Sequence, residues 1–351
     1  MFELGNEDGV IPFPQIKDLE TCPLGDPNEG GVTLWWTTCY AHNAVQQLLL
    51  GRDKKDTNEM FLNALSWAAE RGEGPAASTL LATSRIDAQD YGDALHAALA
   101  GGHETVVQML LDAGADVNAQ EGYFSNALQV ALERGHEKVA QMLLDAGADI
   151  HGQVGGYSSA VHNTAFRGHE KVVQILIYAS ADVQAHGGHY SNALQGAAAG
   201  NQEKLVQMLL NIGPEVRAYK GNYGNALQIA SAHGYEKVVQ MLLDAGADVN
   251  GQGGEWGNAL YQAAWRGYET VVQMLIDAGA DANVQGGEWG NNALYQAAQQ
   301  GHDKMVQMLV DAGADVNAQG GYYGNALQVA SAEGHKKVVQ MLLDAGADTN
   351  T

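Results

Sequence analysis

The chain has 351 residues, 46% of them apolar and 17% charged, and its formal charge at pH 7 is −23. That composition describes a folded chain rather than a disordered one, and so few cations argue against a nucleic-acid backbone or an anionic membrane as partner. Cys22 and Cys39 are too few for a disulfide framework, no apolar run approaches the roughly 20 residues of a membrane span, and the start MFELGNEDGV is acidic where a secretory leader is basic. The expectation is an intracellular protein, cytoplasmic or nuclear.

Residues 1–23 show no period and contain Pro12, Pro14 and Pro23, which reads as a linker or an incomplete repeat. Residues 24–88 hold two divergent units, around Leu34 in GVTLWWTTCYAHNAVQQLLL and Leu65 in NALSWAAERGEG, with Pro75 where a second helix should begin. Residues 89–351 hold eight regular units, marked by Leu95, Leu128, Val161, Leu194, Leu227, Leu260, Leu294 and Leu327 at steps of 33 residues and a single step of 34. A fixed period of this length signals a solenoid.

Within one unit, Asn126 to Arg134 places Ala127, Leu128, Val130 and Ala131 on one stripe, predicting a short helix capped by Asn126. Gly135 ends it, as do Gly102, Gly168, Gly234, Gly267, Gly301 and Gly334 elsewhere, with Asn201 as the exception that still tolerates a left-handed backbone. A second helix runs from about Glu137 to Leu144 and stops before Gly147. The segment that follows, such as Ala148 to Ser158, is too short for a helix and must be an extended finger or a short hairpin. The predicted fold is an all-α repeat, a solenoid of about ten helix-turn-helix units.

The run G-H-x-x-V-V-x-x-L-L-x-x-G-A-D-V-N, seen in Gly102 to Asn118 and, with Tyr235 for the His, in Gly234 to Asn250, resembles the ankyrin repeat. It departs from that family where T-P-L-H is expected, since this chain has Asn225-Ala226-Leu227-Gln228 and its equivalents. Such NAL-type units resemble those in ankyrin arrays of large fungal proteins. The resemblance implies an L-shaped array whose fingers and first helices line a concave groove that receives a protein partner.

No G-x-S-x-G, H-E-x-x-H, P-loop or C-x-x-C occurs, so no catalytic residue, cofactor or metal is assigned. His186 and His189, with His151 and His162 one repeat away, could be weighed as metal ligands but read as loop residues. The recurring His103, His136, His169, His302 and His335, replaced by Tyr235 and Tyr268, read as a structural contact. Met109, Met142, Met208, Met241, Met274, Met308 and Met341 read as core. An aromatic column, Tyr91, Phe124, Tyr157, Tyr190, Tyr223, Trp256, Trp289 and Tyr323, reads mainly as finger packing.

The symmetry breaks around residues 255–296. There the column becomes Trp256 and Trp289 beside Glu255 and Glu288, the first-helix Gln becomes Tyr261 and Tyr295, and the variable later positions become Trp265, where other units often have Ala, and Arg266. Phe166 and Arg167 are the close parallel, and the 34-residue step comes from an extra Asn in Asn291-Asn292. Trp, Tyr and Arg are the types enriched at binding hot spots, so these eight residues are the expected binding patch. Two readings stay open: a non-catalytic scaffold or adaptor for a protein segment, basic if the acidic surface draws it, or a small-molecule binder or unusual enzyme using Glu255 or Glu288 as acid or base. An open groove favours the first and a closed pocket with a buried Glu the second. The last unit keeps Val338, Val339, Met341 and Leu342, which predicts an edge covered by another chain or by continuation into a longer protein.

Overall fold

Each period folds as two helices joined by a tight turn, and nine such pairs occur among the described residues of a computed structural model. These are residues 54–83, 87–118, 120–121, 125–149, 160–178, 192–212, 225–252, 257–286 and 290–349. They belong to two compact units, Met1–Glu121 and Gly122–Thr351. The aperiodic segment 1–23 and the divergent repeat around Leu34 lie outside the described residues.

The first unit contains α1 (Lys54–Glu70), α2 (Gly74–Thr83), a 3-10 turn at Ala88–Tyr91, α3 (Gly92–Gly101) and α4 (Glu104–Asp112). Pro75 sits in the first turn of α2, where its missing N–H would have had no helical acceptor in any case. The divergent repeat therefore keeps its helix pair. Helix α1 packs on α3 and α2 on α4, burying Phe61, Leu65, Leu80, Leu95, Leu99 and Leu110.

The second unit runs through seven pairs. The first helices are α5 (Ala127–Arg134), α7 (Ala160–Arg167), α9 (Ala193–Ala199), α11 (Ala226–His233), α13 (Ala259–Arg266), α15 (Ala293–Gln300) and α17 (Ala326–Ala332). Their partners are α6 (Glu137–Asp145), α8 (Glu170–Tyr178), α10 (Glu203–Ile212), α12 (Glu236–Asp244), α14 (Glu269–Asp277), α16 (Asp303–Asp311) and α18 (Lys336–Asp344). Each first helix packs on the next first helix. Their contact residues are mostly Ala, with one Leu in most of the helices, two in α5 and none in α7, as in Ala226, Leu227 and Ala230, and small side chains let the axes approach closely. The second helices close the core with Val238, Val239 and Leu242 and their equivalents.

Asn caps are seen at Asn192, Asn225, Asn258, Asn292 and Asn325, each accepting from the backbone N–H three residues on at 2.7 to 3.0 Å, while the Asn126 side chain lies outside the described residues. Such a cap contributes about 1 kcal/mol. The turn glycines adopt positive φ, 72° at Gly234 and 79° at Gly267, and Asn201 adopts 54°. A second requirement acts on several of them, because the residue after the next turn lies across the glycine. A Cβ on Gly135 or Gly301 would strike the ring of His169 or His335, and one on Gly234 would come 2.8 Å from Tyr268.

The recurring His is a staple between repeats. In three repeats its Nε2 donates to the last turn of the preceding first helix, from His103 to the Glu70 carbonyl at 2.8 Å, from His169 to that of Glu133 at 3.2 Å and from His335 to that of Gln299 at 3.0 Å, whereas the buried His136 Nε2 has no partner among the described residues. Those carbonyls have no acceptor role left within their own helix, so the bond meets a need that every repeat shares. Gln202 does the same for Phe166 at 3.2 Å.

Asparagines after the second helices form another ladder: Asn250, Asn283 and Asn317 donate to the Gly279, Gly313 and Gly346 carbonyls and accept from Asp281, Asp315 and Asp348. Lysines pair with the preceding second helix in Lys171–Glu137 and Lys304–Glu269 at 3.1 Å, Lys204–Glu170 at 3.4 Å, Lys237–Glu203 and Lys337–Asp303. Lys337 holds the Asp303 carboxyl below its ordinary pKa.

Two expectations are corrected. The Met column is half-buried rather than core, because Val139, Ala140 and Leu143 and their equivalents already fill the interior and Met stands at its rim. His162 lies in α7 and is buried, with Gly196 against it, rather than in a loop; His151, His186 and His189 lie outside the described residues. Of the aromatic column, Tyr91 is buried and Tyr323 is 40% exposed. Phe124, Tyr157, Tyr190, Tyr223, Trp256 and Trp289 lie outside the described residues. Among the described residues no helix is long and apolar enough to cross a membrane.

Candidate binding groove

The third residue of each first helix decides how the neighbouring finger is held. In α11 it is Gln228, which completes a reciprocal cap by accepting from the Asn225 N–H at 2.9 Å and donates to the Gly251 carbonyl at 2.8 Å. In α13 and α15 the residue is Tyr261 or Tyr295. Each still donates its backbone N–H to the capping Asn, at 2.7 and 2.8 Å. Its ring goes under the next finger instead.

Tyr261 is half-buried against Gly286, where a Cβ would come 3.3 Å from the ring, and its hydroxyl accepts from Gln296 Nε2 at 2.8 Å. The extra residue of the 34-residue step supplies a further partner, since the Asn291 side chain also bonds that hydroxyl. Gly286 donates its N–H to the Asn291 carbonyl at 2.7 Å in an antiparallel bridge, while Asn292 keeps the cap. Tyr295 is only 4% exposed. Its hydroxyl accepts the Tyr323 N–H at 3.4 Å, and Gly321 lies on its ring. Burial raises the pKa of both phenols.

Trp265 and Arg266 close α13. Trp265 is half-buried and Arg266 exposed, with the guanidinium 4.8 Å over the indole ring, within cation–π range. Arg266 borders a cavity of about 290 Å³ between α11 and α13, also lined by Gln228, Ile229, Ala232, His233, Gly257 and Gln262. The space has a simple origin: Ala232 stands in α11 where α13 has Trp265. His233 is fixed on one wall by its Nδ1, which donates to the Ile229 carbonyl at 2.9 Å, and by stacking on Tyr235 at 5.3 Å.

Family models for ankyrin repeats match residues 34–121, 161–253 and 258–351 in three copies, and residues 128–177 in a second model of many copies. The chain belongs to the ankyrin repeat family. A comparison with curated proteins gives no match. Ankyrin repeats in general mediate protein–protein interaction, and stacked repeats present extended binding surfaces.

Within this ankyrin array, the described members of the expected patch divide by role. Tyr261 and Tyr295 hold fingers, Arg266 borders the cavity, and Trp265 lies beneath its guanidinium. Glu255, Trp256, Glu288 and Trp289 lie outside the described residues. Among the described residues no carboxylate is buried. The parallel pair at the end of α7 is on the surface, with Phe166 38% exposed. Ile229, His233 and Gln262 were not singled out from sequence, and the usable signal was Ala232, whose missing bulk makes the cavity.

Proposed function

We propose that this ankyrin array is a non-catalytic scaffold or adaptor that holds a protein segment across the first-helix face of its second unit, anchored at α13 and α15. The supporting observation is Arg266, which lies over the half-buried Trp265 ring and borders an unfilled space between α11 and α13. An aromatic side chain fixed in this way offers apolar contact at little further cost in side-chain entropy, which is the physical basis of a hot spot. Tyr261 and Tyr295 belong to the anchor by setting the fingers at Gly286 and Gly321, and Glu255, Trp256, Glu288 and Trp289 are assigned to the same anchor.

The test is capture of partners from native extract by the intact chain and by Trp265→Ala. Truncation is expected to weaken retention of a specific protein by tenfold or more, matching a hot-spot loss of roughly 2 kcal/mol, with an unchanged circular dichroism spectrum. Equal retention by both forms would remove α13 as the anchor.

A further inference from the structure

Charge is segregated between the two ranks of helices in the second unit. The seven second helices carry eleven Asp and Glu residues against seven lysines, whereas the seven first helices carry Glu133 against Arg134, Arg167 and Arg266. The acidity of the chain as a whole therefore says nothing about the face that would bind. Five of the second-helix lysines are already engaged by acids of the preceding repeat. Arg266 is in no ion pair among the described residues, and its recorded partner is the neutral Trp265 ring.

The cavity walls repeat this bias. Arg266 and His233 stand at its border, Gln228 and Gln262 contribute amides, and none of its described lining residues is a carboxylate. His233 donates Nδ1–H to the Ile229 carbonyl, so its Nε2 donates to an anionic ligand as the imidazolium, which carries a proton on both ring nitrogens. A guanidinium is a planar fork of donors matched to two acceptor oxygens, and stacking on an indole holds that fork at a fixed angle. Ile229 and Ala232 add an apolar side, where a charged hydrogen bond is worth more than in open water.

We infer that the cavity between α11 and α13 takes a carboxylate side chain, Asp or Glu, from an acidic segment of the protein partner, with Arg266 as the principal donor and His233, in its imidazolium form, as the second. This inference rests on the scaffold reading and specifies its chemistry: the partner segment is acidic where it meets this cavity, despite the net negative charge of the array. Basic surfaces would be drawn instead to the second-helix rank.

The experiment uses the intact chain and three labelled ten-residue peptides alternating Leu with Glu, Gln or Lys, read by fluorescence polarisation and by the Arg266 Nε–H and Trp265 indole NMR signals. The Glu peptide is expected to bind at least tenfold more tightly than the Gln peptide and to shift both signals. Arg266→Gln should abolish that preference, His233→Asn should reduce it, and Lys337→Gln, which removes an already paired cation on α18, should leave it intact. A Gln peptide that binds equally well, a Glu preference that survives Arg266→Gln, or the strongest binding from the Lys peptide would overturn the inference. Inorganic phosphate moving the two signals where the Glu peptide does not would overturn the carboxylate assignment. Loss of partner capture in Trp265→Ala with full capture in Arg266→Gln would leave the scaffold reading standing and sink this one.

Discussion

The repeats built on α11 and α13 share one backbone plan and hold their fingers by different chemistry. In α11 a glutamine amide ties the finger through a carbonyl, at Gln228 and Gly251. In α13 and α15 a tyrosine ring lies under a glycine of the finger, and a hydroxyl takes over the polar contact. The cap and the turn glycine are kept in both, because they answer backbone needs that every repeat possesses. The side chains that are free of this duty set what the surface offers. Replacing an amide by a ring moves the stabilisation from one hydrogen bond to apolar burial, and the difference can be measured.

The largest expected effect is Tyr295→Ala. A buried aromatic lost from a packed site costs about 3–5 kcal/mol, and here the Tyr323 N–H loses its acceptor as well. Gln228→Ala in the other kind of repeat removes hydrogen bonds and little buried area, so about 1–2 kcal/mol is expected. Urea denaturation of both variants gives the comparison directly. Equal losses would mean that the ring on the finger is no stronger than the amide.

Next come the turn glycines, which separate two causes of the same sequence signal. Gly301 and Gly334 have φ of 72° and 79°, but His335 lies over the first while nothing stands within 4 Å of a Cβ on the second. Gly334→Ala should lose only the left-handed strain, about 1–2 kcal/mol. Gly301→Ala must also push His335 off the Gln299 carbonyl, and should lose at least 1 kcal/mol more. If the two substitutions prove equal, the staple contributes nothing to the glycine requirement.

Features that obey a local rule were legible in the sequence. The Asn caps, the positive φ of Asn201 and the structural role of the recurring His follow from backbone needs that a single repeat displays. The direction of Tyr261 and Tyr295 was not legible, since it depends on Gly286 and Gly321 in the next finger and on the side chain of Asn291. The Met column misled because helical spacing shows which stripe faces inward but not how far the core extends across it. The cavity was invisible for a related reason: it arises from Ala232 and Arg266 on two helices, and no single repeat contains it.

Alkaline pH sharpens the comparison at the hydroxyl. Burial raises the Tyr295 pKa in the folded chain, so above the ordinary tyrosine value of about 10 the unfolded chain binds fewer protons than the folded one. Stability is then lost as pH rises past that value. Tyr295→Phe removes this linkage along with the bond to the Tyr323 N–H, so the variant should be the less stable at about pH 8, with the gap narrowing above about pH 10. Urea midpoints for both proteins across that range test it, and a constant gap would mean that Tyr295 titrates no differently in the folded chain.

The smallest effect lies on the opposite rank of helices. Lysines at 171, 204, 237, 304 and 337 reach back to an acid of the preceding second helix, but α14 has Thr270 at this position, and Glu236 faces it without that bridge. Thr270→Lys should extend the ladder, and because the groups are exposed the gain should be at most about 1 kcal/mol and should fade in high salt. The substitution is on α14, away from Trp265 and Arg266 on the first-helix rank, so partner capture should not change. A change in capture would show that the two ranks are coupled, and that binding does not belong to the first-helix face alone.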